Sequence, residues 1–278
     1  MSIREELTML KISVLIENRD NGCFVGEGGL SLVVEKDKDK FLIDTGLTDL
    51  FAQNAKKLNI NLDNVNKVIF THGHSDHTGG AHLLQGKDII MHPQGFKPRW
   101  SKRKKEFVGL PINQETLKQH NNILLTQDAV EFIKDCYFLG EIPMITTFEK
   151  GNFSTTLDEA LTQTDYTEDD SGVVIKTNKG LFIITGCGHR GIVNVIKQAK
   201  QVTGEEKICG VLGGFHLRKL EQQKEIIDNT IEYFKQNNIN NIYLGHCVTD
   251  DVIDYFEQQM PMATIFRLAT GKEFIIEE

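Results

Sequence analysis

Thr71-His72-Gly73-His74-Ser75-Asp76-His77-Thr78-Gly79-Gly80 is the stretch on which the reading of this chain turns. It places three histidines and one aspartate within six residues, directly after the apolar run Val68-Ile69-Phe70. A β-branched and aromatic run reads as a buried strand, and the glycine pair as the turn into a helix. The polar residues then sit on a loop at the carboxyl end of that strand, where side chains can converge on one point outside the sheet. Imidazoles combined with a carboxylate suit a borderline divalent ion, zinc first, with iron or manganese as alternatives. His72 and His74, two residues apart, can point the same way, while Asp76 and His77 can face a second position. A surface turn that happens to be rich in histidine is the bland alternative. The H-x-H-x-D-H spacing, in a chain with nine histidines, argues against it.

Working outward, residues 11–17 and 30–35 read as strands, the second turning through Lys36-Asp37-Lys38-Asp39 into a third at 41–44. Residues 50–58 have helical spacing, 81–85 continue a helix that Gly86 closes, and 89–91 form another strand. Residues 95–125 keep no clean period and are set apart as an irregular insertion. From Gly172 a second half begins, with a hairpin of 173–176 and 181–184 around Thr177-Asn178-Lys179-Gly180. A helix at 192–201, a strand at 208–212, a helix at 222–236 and a strand at 242–244 follow. Three more histidines stand just past these strands: His189 after Ile184, His216 after Leu212 and His246 after Leu244. His82, His92 and His120 read as helix surface, strand end and loop. With no repeat and no low-complexity linker, residues 1–278 are read as one domain carrying the insertion.

The H-x-H-x-D-H string after an apolar strand resembles the signature of the metallo-β-lactamase superfamily. Phe41-Leu42-Ile43-Asp44-Thr45-Gly46 is similar to that superfamily's strand ending in an aspartate and a tight turn beneath the metal loop. Three later stretches resemble one branch, the dihydropterin-methyl-ribofuranosyl-aminobenzene-5'-phosphate synthase-like proteins. They are Gly140-Glu141-Ile142-Pro143, then Thr185-Gly186-Cys187-Gly188-His189 with Gly191-Ile192-Val193, and Gly213-Gly214-Phe215-His216-Leu217 followed by Gly245-His246-Cys247. The resemblance implies an α/β, four-layer αββα sandwich with one or two divalent metal ions at one edge. His72, His74, Asp76, His77, His189 and His246 are the implied ligands. Asp76 is also assigned a catalytic role, holding a proton of the attacking water, and His216 a catalytic, substrate-facing role. Asp44 is expected to orient rather than react.

The chain departs from the superfamily pattern in one place. A T-G-D string usually supplies an aspartate bridging two metals, and here Thr185-Gly186-Cys187 stands instead. Nor is there a T-P-G-H string to supply a further imidazole, so His189 takes that place. Cys187 is read as a buried small residue, with thiolate ligation beside a cation as the alternative.

Residues 97–105 hold Lys97, Arg99, Lys102, Arg103, Lys104 and Lys105 around Trp100 in an otherwise acidic chain. Trp100, Arg103 and Lys104 are assigned to substrate binding, where cations hold a phosphate or carboxylate and the indole stacks on a flat ring. A solvated basic face is the alternative. Glu141, Glu149, Asp169 and Asp170 are carboxylates in possible reach of the site that one sequence does not separate.

Composition narrows the partners. A net charge of −8 argues against nucleic acid, which wants a basic footprint. No stretch reaches the ~18 apolar residues of a membrane span, and the start lacks a signal-peptide pattern. Five cysteines, an odd number without an export signal, point to reduced thiols in the cytoplasm. The expected activity is metal-dependent hydrolysis: a metal-activated water attacks an ester, amide, lactone or phosphodiester of a small anionic substrate. The rival is a synthase acting on a pterin or phosphoribosyl-type substrate. A di-iron redox site ranks lower because no flavin domain is attached.

Overall fold

A computed structural model describes residues 9–151 and 153–277 of the chain. Its first half runs β1 (Met9–Ile16), β2 (Ser31–Lys36), β3 (Asp39–Ile43), α1 (Leu50–Lys57), β4 (Lys67–Ile69), α2 (Ser75–Thr78), β5 (Asp88–Met91), β6 (Trp100–Ser101), α3 (Gln114–His120) and β7 (Asn122–Leu125). Then come β8 (Val130–Ile133), β9 (Cys136–Phe138), β10 (Thr155–Thr156), β11 (Gly172–Thr177), β12 (Gly180–Thr185) and α4 (Ile192–Thr203). The chain closes with β13 (Ile208–Gly213), α5 (Lys224–Gln236), β14 (Asn241–Leu244), α6 (Asp250–Gln259), β15 (Thr264–Arg267) and β16 (Glu273–Glu277).

Two seven-stranded sheets result, ordered β16-β1-β2-β3-β4-β5-β7 and β15-β14-β13-β12-β11-β9-β8. Alternation in the strands decides which side chains meet between them. Ile12, Val34 and Phe41 of the first sheet join Phe138, Val173, Phe182 and Ile184 of the second in one buried core. The opposite residues of each strand bury against helices. Val33, Leu42 and Val68 pack with Phe51 of α1 and Leu117 of α3, while Val174, Ile183 and Val211 pack with α4, α5 and α6. The product is the expected four-layer αββα sandwich.

Parallel pairing sets where the polar residues fall. Strands β3, β4, β5 and β7 run parallel, as do β12, β13, β14 and β15. Loops leaving the carboxyl ends of β3, β4, β12, β13 and β14 therefore carry Asp44, the histidine run, Cys187 with His189, His216 and His246.

Two local expectations are corrected. The helix after the histidine run starts at Ser75, so Asp76 and His77 lie in α2 itself, and Gly79–Leu83 is a 3-10 turn rather than a continuing helix. The turn packs closely enough to require both glycines: a Cβ on Gly79 would collide with the Leu47 carbonyl, and one on Gly80 with the Phe51 ring. The span 95–125 is also more regular than its sequence period suggests. Its last third forms α3, capped by the Asn113 side chain on Thr116 N, and β7, which extends the first sheet beside β5. Among the described residues, no helix is long and apolar enough to cross a membrane.

Candidate metal centre

Two histidines of the run, His72 and His77, are oriented by a neighbour on the far nitrogen. Asp44, fully buried with φ of 55°, accepts Thr71 N at 2.8 Å, Thr71 Oγ1 at 2.7 Å and His77 Nδ1 at 2.7 Å. Thr71 spends its proton on Asp44, so its oxygen accepts His72 Nδ1–H at 3.1 Å. Across the edge, His246 Nδ1 lies 3.2 Å from Asn18 Oδ1, and Glu17 accepts the His246 backbone N–H. With Nδ1 the donor in all three, the lone pairs of His72, His77 and His246 sit on Nε2.

Those lone pairs point at neighbouring imidazole nitrogens. His77 Nε2 and His246 Nε2 are 3.0 Å apart, and His72 Nε2 is 3.0 Å from His74 Nδ1. Acceptors at hydrogen-bond distance repel unless a proton or a cation lies between them. His72, His74 and His189 can place one nitrogen each within 4.8 Å of the other two, and Asp76, His77 and His246 do the same. The structure thus brings all six expected ligand residues into two adjoining triads. His189 leans on both imidazoles of its set, with ring centroids 5.0 Å from His72 and 4.8 Å from His74. Asp76 Oδ2 stands 3.7 Å from His246 Nε2.

Charge balance favours a cation here. Burial pushes His72, His74 and His216 well below the usual imidazole range, and takes His246 down to about 3. Burial also opposes charge on His77, but the Asp44 and Asp76 carboxylates outweigh it and push that imidazole up to about 9. Without metal, the cluster keeps a proton on His77 between converging acceptors. The donor set fits a divalent ion of the zinc class in its place.

Cys187 is buried, as expected, and it also lies within reach of the imidazoles. Its Sγ lies 3.3 Å from His77 Nε2 and 3.2 Å from His246 Nε2, and it also groups with His72 and His77. The side chain read as a small buried filler therefore stands between the two triads. Burial, followed by the hydrogen bond its S–H donates to Cys247, holds the metal-free thiol well up. A bound cation would reverse that preference. Cys247 comes within the same reach of Cys187 and His246 and was not foreseen.

The other expected residues are spread around this core. The His216 ring centroid is 4.4 Å from that of His189, its backbone has φ of 52°, and its buried Nδ1 has no hydrogen-bond partner. It falls outside the two triads. Trp100 lies in a hairpin, edge-on to Phe107 at 5.3 Å between ring centroids. Lys104 pairs with Glu106 at 3.0 Å, Lys102 reaches the Phe153 carbonyl, and Arg103 is exposed at the tip. The hairpin adjoins the metal loop, since Ser75 N donates to Val108 O at 2.9 Å and Gly109 bridges to His74. Arg99, grouped by sequence with this basic run, is instead fully buried and paired with Asp165 and Asp169. Glu149 caps α4 on Val193 N and Asn194 N, and Asp170 accepts Arg190 N behind His189. Glu141 stands at the periphery, 3.9 Å from Arg190.

Residues 25–92 match the metallo-beta-lactamase superfamily. Over 262 residues, covering 86% of this chain and 87% of the relative, the sequence is 32% identical to 7,8-dihydropterin-6-methyl-4-(beta-D-ribofuranosyl)-aminobenzene-5'-phosphate synthase of Methanocaldococcus jannaschii. The chain belongs to the metallo-β-lactamase superfamily. An uncharacterised protein of the same archaeon is 26% identical to this superfamily member over 231 residues, 81% of this chain and 85% of the other. Among solved structures, a metal-dependent hydrolase of the beta-lactamase superfamily superposes with a TM-score of 0.84 at 26% identity, covering 97% of this chain and 100% of that one. Membership implies divalent-metal binding, in keeping with the two triads at the sandwich edge.

Asp44→Ala gives a measurable consequence. It strips three donors of their acceptor, leaving Thr71 N–H and Oγ1–H unsatisfied in the core at about 1–3 kcal/mol each, and it frees His77 to take the wrong tautomer. Zinc affinity by chelator competition is expected to fall about 10–100-fold, with a lower unfolding midpoint. Asp44→Asn, which keeps an acceptor, is expected to lose less of both.

Proposed function

We propose that this protein is a cytoplasmic hydrolase of a small anionic substrate, dependent on two divalent ions, zinc before iron or manganese. One ion is held by His72, His74 and His189 and the other by Asp76, His77 and His246, with Cys187 between them. The observation that carries the reading is the pair of 3.0 Å contacts between buried imidazole nitrogens aimed at one another. Ions held there supply Lewis acidity toward a carbonyl or phosphoryl oxygen and acidify water to near neutrality. The chain's own groups do the rest. Asp76 is partly open to solvent, unlike the buried imidazoles, and its carboxylate accepts and aims a proton of the attacking water. His216 offers its unpartnered Nδ1 to the substrate beside His189. Arg103 and Lys104 hold a phosphate or carboxylate at the hairpin tip, and Trp100 flanks a flat ring. Binding there contributes orientation rather than chemistry.

The second reading is a synthase acting on a pterin or phosphoribosyl-type substrate, favoured by the 32% identity to a relative of that name. Zinc-loaded protein assayed on chromogenic aryl esters and phosphodiesters separates the two. Turnover that is abolished by chelator and restored by zinc supports hydrolysis. Inertness toward every such ester, with bond formation on a pterin and a phosphoribosylated arylamine, overturns it in favour of the synthase. Reversing charge at Arg103 and Lys104 should raise KM for a phosphorylated substrate more than for a neutral one, and equal effects would leave the tip a solvated face.

A further inference from the structure

His74 presents Nδ1 to the cluster, 3.0 Å from His72 Nε2, so its proton must reside on Nε2 when Nδ1 serves as a ligand. That Nε2 is buried and has no hydrogen-bond partner. Facing it is Asp165 Oδ2 at 4.0 Å. Asp165 is itself buried and pinned by Arg99 Nε at 2.8 Å, Thr155 Oγ1 at 3.0 Å and Thr167 N at 2.9 Å. Arg99 also binds Asp169 Oδ1 at 2.6 Å, and Asp169 Oδ2 accepts Gly73 N, one residue before His74, at 2.7 Å. Two carboxylates and one guanidinium leave a formal charge of −1 in a cluster shielded from water. Such a charge is costly unless a donor lies close, and the His74 N–H is the donor aimed at it.

We infer that Asp165 is a positioning residue for the metal centre: its carboxylate receives the His74 Nε2 proton and so commits Nδ1 to the metal. A direct hydrogen bond needs about 3 Å, so the contact closes by a small turn of the ring or through one water. Arg99 fixes the carboxylate on its far side, and Asp169 holds the loop backbone in register. The inference rests on His74 being a metal ligand, and its test separates the two ideas.

Protein carrying 15N-histidine is stripped of metal, reloaded with zinc, and its imidazole tautomers read by long-range proton–nitrogen spectra. His74 is expected as the Nε2–H form with a slowly exchanging proton. Asp165→Asn should shift that resonance and weaken zinc binding about 10–100-fold in chelator competition. Glu168→Gln removes a carboxylate from the same stretch of chain, one paired with Lys97 at 3.7 Å and not facing His74, and should leave the resonance in place and the affinity intact. Native zinc affinity or an unmoved His74 signal in Asp165→Asn, or equal losses in both variants, overturns the inference while the metal reading stands. If Asp165→Asn does not fold, the wild-type spectrum decides: Nε2–H with slow exchange supports it, and Nδ1–H overturns it. Wild-type protein that takes up no zinc removes the metal reading and this inference together.

Discussion

His72→Ala should lower bound metal per chain and cut activity by more than the ~10–100-fold that loss of a ligand's hydrogen-bonded support costs. His72 stands in two of the ligand groups, one with His74 and His189 and one with His77 and Cys187, so its loss touches both positions. The imidazole is buried, and alanine leaves a gap beside Thr71 Oγ1, which then has no donor on that side. Folding should survive, because the strand cores of both sheets do not include this side chain. Elemental analysis alongside steady-state rates checks the result. Wild-type stoichiometry with wild-type rates in the variant would remove His72 from the site.

Arg99→Leu should cost about 3–5 kcal/mol of stability, the usual result of breaking a buried ion pair from one side. Two buried carboxylates, Asp165 and Asp169, lose their guanidinium at once, and the Gly95, Lys97 and Gln94 carbonyls lose N–H donors. The comparison that gives this number meaning is Lys104→Leu. That lysine pairs with Glu106 while both are more than half exposed, and exposed pairs contribute about 0–1 kcal/mol. Chemical unfolding of the two variants should therefore separate by several-fold in ΔΔG. Similar small losses in both would mean that the Arg99 cluster is hydrated or loosely formed.

Much of this site was legible because its residues lie in short strings after apolar strands. His72, His74, Asp76 and His77 share one turn of chain, and His189 and His246 each follow a parallel strand, so local patterning and strand polarity pointed to six residues that the structure brings together. Cys187 stayed open between filler and ligand for a physical reason. A lone buried cysteine is ordinary core filler, and the three-dimensional approach of His77 and His246 to within 3.3 Å is what favours the ligand alternative. Asp165 and Arg99 were hidden more deeply. They are 66 positions apart, and Arg99 sits in a run of surface lysines that disguises its burial. In the fold, the central strands announced themselves by continuous apolar runs, whereas β7 shows only exposed and half-buried residues at the rim of its sheet and carries little signal. The α3 helix, seven residues long with a single buried leucine, is equally faint.

Zinc K-edge absorption on protein of known metal content tests the central claim most directly. Two zinc ions per chain, ligated chiefly by imidazole nitrogen at about 2.0–2.1 Å with a sulfur at about 2.3 Å from Cys187, is the predicted result, the sulfur vanishing in Cys187→Ser. Protein that retains no zinc, iron or manganese after reloading, or zinc bound without any imidazole, would contradict the account.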